Sequence, residues 1–228
     1  MVKAKRRSKS TVNKAGNYTK PTMRKRLFNR IRLAVATSLK IHNIEIPTSQ
    51  HPEVRKLKRK NNVHTMHGNK VWNSSIVFMD AFKDVDFSKY KIADLGCGWG
   101  PLSCYFAKQG AEVTGFDNDI SVKPYFDLLC KITETKPKFQ QHDIFKDDLP
   151  LDYDFYVACD MCFWNKHIDL WHDVIYRILD NNKSVFIVDP GRQSFWKMLN
   201  TIKTTYHLER RFIEEPKKTD AYIAIFGN

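Results

Sequence analysis

A chain of 228 residues is long enough for one sizeable core and short for two independent domains, and 42% hydrophobic with 13% aromatic content favours a packed globule. No apolar run approaches the roughly 20 residues that a membrane-crossing helix needs, which excludes such a segment. Five scattered cysteines (97, 104, 130, 159 and 162) and no secretory pattern lead us to expect reduced thiols in a cytoplasmic protein.

The net charge of +13 is concentrated at the front: residues 1–60 hold 18 Lys and Arg against Glu45 and Glu53, a net +16, whereas residues 61–228 hold 20 against 23 acids, a net −3. That break predicts a basic N-terminal extension over 1–60 and a folded domain over 61–228. Residues 1–20 are too polar to offset their ordering entropy and read as a disordered tail. After Pro21, Met23, Leu27, Ile31 and Val35 recur every four residues with Phe28 and Leu39 beside them, the pattern of a basic amphipathic helix. Three roles for this front stay open. Its stripe packs on the main domain, or its cations bind nucleic acid, the ribosome or an acidic partner, or it is a transit peptide, since the first 44 residues carry no acid.

From residue 70 the hydrophobic period alternates regularly. "VWNSSIVFMDAF" reads as helix, "KIADL" as a short buried strand, residues 100–110 as helix, "EVTGF" as strand, and "DISVKPYFDLLCKI" as a helix loosened at its start by Pro124. "KFQQHDIF" and "DFYVACD" read as strands, and "KHIDLWHDVIYRILD" sets Ile168, Trp171, Ile175 and Ile178 on one helix face. "SVFIVD" is a fifth strand, "RQSFWKMLNTIK" a helix, and "LERRFIEE" and "YIAIFG" are strands too close in sequence for a helix between them. Strands alternating with helices require a mostly parallel sheet covered on both faces, and the last pair requires an antiparallel hairpin at its edge. The expected fold class is therefore α/β, Rossmann-like and doubly wound, with seven strands.

In such a sheet, ligands bind beyond the carboxyl ends of the strands. The loop "DLGCGWG" follows the first strand there. Gly96, Gly98 and Gly100 remove three side chains, Cys97 lies between them, and the loop leads into a helix amino terminus. Asp117, followed by Asn118, closes the next strand, where a carboxylate accepts hydrogen bonds from both hydroxyls of a ribose. The ligand expected is a nucleoside. The spacing differs from the G-x-G-x-x-G of dinucleotide sites, and Asp94 stands just before the loop, so no pyrophosphate is cradled and an acid faces the ligand. A ligand with a cationic end suits that arrangement, and S-adenosylmethionine, with its sulfonium and ammonium groups, meets it.

With those residues in place, 70–228 resembles the class I, seven-strand S-adenosylmethionine-dependent methyltransferases. The resemblance implies an enzyme with that cofactor, and it implies that an acid after strand three meets the adenine amino group. Asp143 in "HDIF" takes that position, with Ile144 as an apolar wall. Finer likeness is to the protein lysine methyltransferases grouped as family 16. "VWNSS" is similar to their V-W-P-S-G segment, which implies that Trp72 lines the cofactor pocket, although Asn73 replaces the proline. "DMCF" matches their acid-x-x-aromatic motif through Asp160 and Phe163, with phenylalanine where tyrosine is common. "IVDPGRQSF" resembles a segment of the electron-transfer-flavoprotein β-subunit lysine methyltransferases, and Arg192 within it is positioned to contact substrate.

The resemblance implies a protein lysine as acceptor, with Asp160 orienting the amine and Phe163 and Trp164 walling its channel. Asp160 has a second reading, as the N-cap of the helix that begins near "NKHIDLW". Cys159-x-x-Cys162 with His64 and His67 has zinc spacing, but no second C-x-x-C accompanies it, and no metal is expected. The N-P-P-aromatic tetrad of amino-methylating enzymes that act on adenine or glutamine is absent. Two alternatives remain: an RNA or ribosome-associated methyltransferase recruited by the basic arm, and a cofactor-binding module without catalysis. The sequence leaves the oligomeric state open.

Overall fold

The structure, a computed structural model, describes residues 37–61 and 70–227. The tail and most of the amphipathic stripe expected in the front segment lie outside those residues. The stripe's end does not. Ser38–Ile41 forms strand β1 and pairs antiparallel with β2, Ile44–Pro47, placing Leu39 opposite Ile46. His42, at φ +50°, and Asn43 make the two-residue turn that such a hairpin needs. Helix α1, Pro52–Asn61, follows, with Pro52 in its first turn and His51 accepting from the Glu53 N–H at 3.3 Å.

Residues 37–60, expected in the extension, therefore belong to the folded unit, which begins at Thr37. Ile41, Ile44 and Ile46 are buried in the same apolar cluster as Ile76, Phe78 and Phe106, and Val54 of α1 is buried against Trp99 and Tyr125. A boundary read from charge placed this segment outside because its lysines and arginines outnumber the few apolar residues that anchor it.

Helix α2 spans Asn73–Ala81 and strand β3 Lys91–Leu95; α3 spans Pro101–Lys108 and β4 Glu112–Asp117. After a 3-10 turn, Ile120–Val122, comes α4, Lys123–Thr133, with Pro124 in its first turn, where a missing N–H costs nothing. Then come β5 Lys138–Gln141, β6 Phe155–Cys159, α5 Ile168–Asp180, β7 Ser184–Asp189, α6 Gln193–Thr201, β8 His207–Ile213 and β9 Thr219–Phe226.

Seven strands form one sheet in the order β5-β4-β3-β6-β7-β9-β8, the first five parallel and the last two antiparallel, as the doubly wound reading requires. Alternation along each strand feeds two cores. Ala93, Leu95, Tyr156 and Ala158 face one with Trp171 and Phe195 of α5 and α6; Ile92, Phe155 and Val157 face the other with α2 and α3. β9 is mostly buried and lies inside, while β8 presents charged residues at the edge, the usual protection of an exposed strand. β5 is shorter than expected. Asp143 accepts from the Phe145 N–H, a local turn that ends the strand before "HDIF". The chain reverses its winding direction between β3 and β6, which opens a crevice beyond their carboxyl ends.

Candidate active site

That crevice holds a cavity of about 520 Å³, within the range of small-molecule sites. Its floor is the loop from β3 to α3. Gly96, Gly98 and Gly100 all have positive φ (+69°, +55° and +75°), a path open to glycine and costly for other residues. The N–H groups of Gly96 and Cys97 both donate to the Phe116 carbonyl, at 2.8 and 2.9 Å, which lays the loop over the end of β4. The glycines then do different things. A Cβ on Gly98 would meet no described residue within 4 Å apart from its chain neighbours, so its open side is cavity; one on Gly100 would lie 2.4 Å from the Phe126 ring. Gly96, Cys97 and Gly98 line the cavity, whereas Gly100 lets the loop pack on α4.

Two carboxylates flank the loop. Asp94 is buried, and its Oδ2 accepts from the backbone N–H and hydroxyl of Ser103, at 3.0 and 2.6 Å, in the first turn of α3. Burial pushes its carboxyl up to about 7, against the lowering pull of those bonds and with a further push from Asp117. Asp117 accepts from Gly98 N–H on Oδ2 and from Asp119 N–H on Oδ1, both at 2.9 Å; burial raises its carboxyl and these bonds oppose the rise. Each oxygen retains a lone pair for a ligand.

Further along the cavity lie Asn118, His142, Asp143 and Ile144. Burial pushes the Asp143 carboxyl up, but the Lys146 ammonium at 2.9 Å and the Phe145 N–H outweigh it and hold Asp143 below the usual range. His142 is the residue the sequence did not single out. Its ring packs on Phe116, its Nδ1 is 3.8 Å from an Asp147 oxygen, and its buried Nε2 has no hydrogen-bond partner among the described residues. Trp99 was likewise unassigned. It is stacked on Tyr125 with ring centroids 4.9 Å apart, backed by Val54, and anchors the glycine loop. A tryptophan between two glycines was the signal available for it.

The other end of the cavity is aromatic. Trp72 and Phe163 meet edge to face at 5.3 Å, the Arg192 guanidinium lies 4.3 Å from the Phe163 centroid, and the Lys70 ammonium lies 4.0 Å from that of Trp72. Met161 crosses over Gly96, and Trp164 is exposed. Asp160 lines this end in a left-handed conformation, φ +57°. Its Oδ2 accepts from Ser74 N–H at the start of α2 (3.0 Å), and its Oδ1 accepts from Arg192 Nη2 (2.8 Å). Arg192 also reaches Asp189, fully buried, at 2.5 Å. Asp160 thus serves a helix start 86 residues earlier, and α5 begins with no side-chain cap.

No protein-family model matches the chain, and no curated protein matches it in sequence. Solved structures match its fold. A Pyrococcus abyssi tRNA (uracil-54, C5)-methyltransferase in complex with S-adenosyl-L-homocysteine is 13% identical over 82% of this chain and 42% of its own, with a TM-score of 0.54. A SAM-dependent methyltransferase from Methanosarcina mazei is 14% identical over 60% of this chain and 92% of its own, TM-score 0.50. Magnesium protoporphyrin IX methyltransferase from Synechocystis PCC 6803, with bound SAM, is 14% identical over 67% and 77%, TM-score 0.50. The chain has the Rossmann-like fold of S-adenosylmethionine-dependent methyltransferases. The substrates named for these neighbours differ, so the fold carries no acceptor. No described helix is long and apolar enough to cross a membrane.

Proposed function

We propose that the protein is an S-adenosylmethionine-dependent methyltransferase whose acceptor is a protein lysine side chain. The observation that carries the cofactor is the glycine loop held between Asp94 and Asp117, with cavity where a Gly98 side chain would be. When bound, S-adenosylmethionine supplies an electrophilic methyl group on a sulfonium. Asp117 accepts from the ribose hydroxyls, Asp94 faces the cationic end, and Asp143 and His142 Nε2 stand at the base beside the apolar wall of Ile144. The acceptor end rests on Trp72 and Phe163, whose faces already seat cations. An aromatic, water-poor channel lowers a lysine's pKa, which frees the lone pair the transfer needs. Asp160, whose oxygens each accept one bond and keep a lone pair, orients the incoming amine and also holds Arg192 and α2 beneath the aromatic wall.

A nucleic-acid acceptor is the second reading. Lys70, Lys166 and the exposed Trp164 line the same cavity, and cations interleaved with an aromatic ring suit single-stranded nucleic acid. Incubation with methyl-labelled S-adenosylmethionine and a lysate distinguishes them. Label recovered as methyl-lysine supports the first reading, nuclease-sensitive label replaces it with the second, and cofactor binding without label in either fraction leaves a binding module.

Three further results are expected. Binding a cation draws Asp94 into its ionised form, so cofactor affinity should fall about tenfold per pH unit below about 7 and level off above it. Asp94→Asn should flatten that profile in calorimetry from pH 5 to 8. The same shift has a stability sign: with its folded pKa raised, Asp94 contributes stability at low pH that is lost as pH rises through about 7, so Asp94→Asn should raise the ligand-free melting temperature at pH 8. His142→Phe keeps the packing on Phe116 and deletes Nε2. It should weaken cofactor binding about tenfold, the scale of one hydrogen bond, without lowering the melting temperature.

A further inference from the structure

Among the five cysteines, Cys104 on α3 and Cys130 on α4 stand apart, with sulfurs 3.8 Å apart across the contact between the two helices. Cys104 is fully buried, and Cys130 is partly exposed at the solvent edge of the pair. The two thiols make one S–H···S contact, in which either sulfur can be the donor, and burial pushes up the thiols of Cys97, Cys159 and Cys162.

We infer that Cys104 and Cys130 form a reversible disulfide in response to peroxide, and that closing it weakens cofactor binding. The thiolate of Cys130, the sulfur that solvent reaches, attacks one oxygen of hydrogen peroxide and breaks the O–O bond, leaving a sulfenic acid and hydroxide, which takes up the proton that Cys130 released. Cys104 then displaces the sulfenic oxygen as water, and the S–S bond forms. Two electrons pass from the two sulfurs to the peroxide, whose oxygens end as two waters.

The bond draws the sulfurs from 3.8 Å to about 2.05 Å with a fixed dihedral, and so pulls on the contact between α3 and α4. They have no slack on the cofactor side. The position of a Gly100 Cβ, at the start of α3, lies 2.4 Å from Phe126 of α4, and that of a Gly115 Cβ lies within 3 Å of Ser103, Cys97 and Phe126 together. Ser103 is the residue that holds Asp94, and Gly100 ends the glycine loop. Movement of α3 against α4 is therefore transmitted to the floor of the cavity.

The effect on the cofactor rests on the proposed S-adenosylmethionine site; the thiol chemistry does not. The full-length protein is treated with hydrogen peroxide, alkylated, digested and read by mass spectrometry, and S-adenosylhomocysteine affinity is measured on reduced and oxidised samples. The expected result is a Cys104–Cys130 cross-linked peptide removed by dithiothreitol, three thiols still alkylated, and affinity at least fivefold lower in the oxidised form. Cys130→Ser should keep its affinity under peroxide. Five alkylated thiols after peroxide, or a cross-link between other cysteines, overturns the pair. A correct cross-link with equal affinities overturns the coupling. Failure of the reduced protein to bind the probe refutes the cofactor reading and leaves the cross-link result to judge the pair by itself.

Discussion

Gly98→Val is expected to lower affinity for S-adenosylmethionine at least a hundredfold, about 2.8 kcal/mol, while the protein stays folded. The valine would project into cavity, since among the described residues none but its chain neighbours comes within 4 Å of its Cβ position, and it would occupy volume the ligand needs. The fold loses only the strain of a branched residue at φ +55°, about 1–3 kcal/mol against a typical stability of about 5–15. Gly100→Ala is the contrasting control. Its Cβ would collide with Phe126, so melting temperature should drop first and affinity only as a consequence. Calorimetry and thermal melts on both variants decide the matter, and undiminished binding by folded Gly98→Val would remove the loop from the cofactor site.

Truncation should divide sharply at two points in the basic front. Removing residues 1–36 leaves the contact unit that begins at Thr37 whole, and the shortened chain should melt cooperatively within a few degrees of the full one. Removing residues 1–60 takes away Ile41, Ile44, Ile46 and Val54, each almost fully buried. At about 1.5–3 kcal/mol per buried aliphatic side chain, that loss is roughly 6–12 kcal/mol, comparable to the whole stability of a domain. It also uncovers Trp99, which anchors the glycine loop. The longer truncation should be insoluble or lack a cooperative melt. A well-folded product with intact cofactor affinity would show that the hairpin and α1 are dispensable, and the charge-based boundary at residue 60 would stand.

Strand and helix order from residue 70 onward were legible because each element's apolar period matches its own secondary structure. Ile92 and Ala93 point to opposite cores, as a strand's two-residue period demands, and Ile175 and Ile178 share one, as a helix's does. The glycine loop was legible because three glycines in five residues have few uses other than a close backbone approach. The β1–β2 hairpin was legible in principle, with Leu39, Ile41, Ile44 and Ile46 alternating about His42-Asn43, but the surrounding cations dominated the composition. Local turn chemistry at Asp143 overrode the strand pattern that "KFQQHDIF" presents.

The sequence by itself determined the layered α/β order, the antiparallel ending and the loop on which a nucleoside ligand would rest, since these depend on short-range periodicity and on residues lacking side chains. Only the tertiary structure decided what the polar residues do, because their partners are far away in the chain. Asp160 stands near the start of α5 in sequence yet bonds to Ser74 and Arg192, and His142 looks like any strand-end residue until the packing around it leaves Nε2 without a partner. A buried polar group takes its role from whichever donor or acceptor the fold delivers to it, and that delivery is set by sheet topology rather than by neighbours in the sequence.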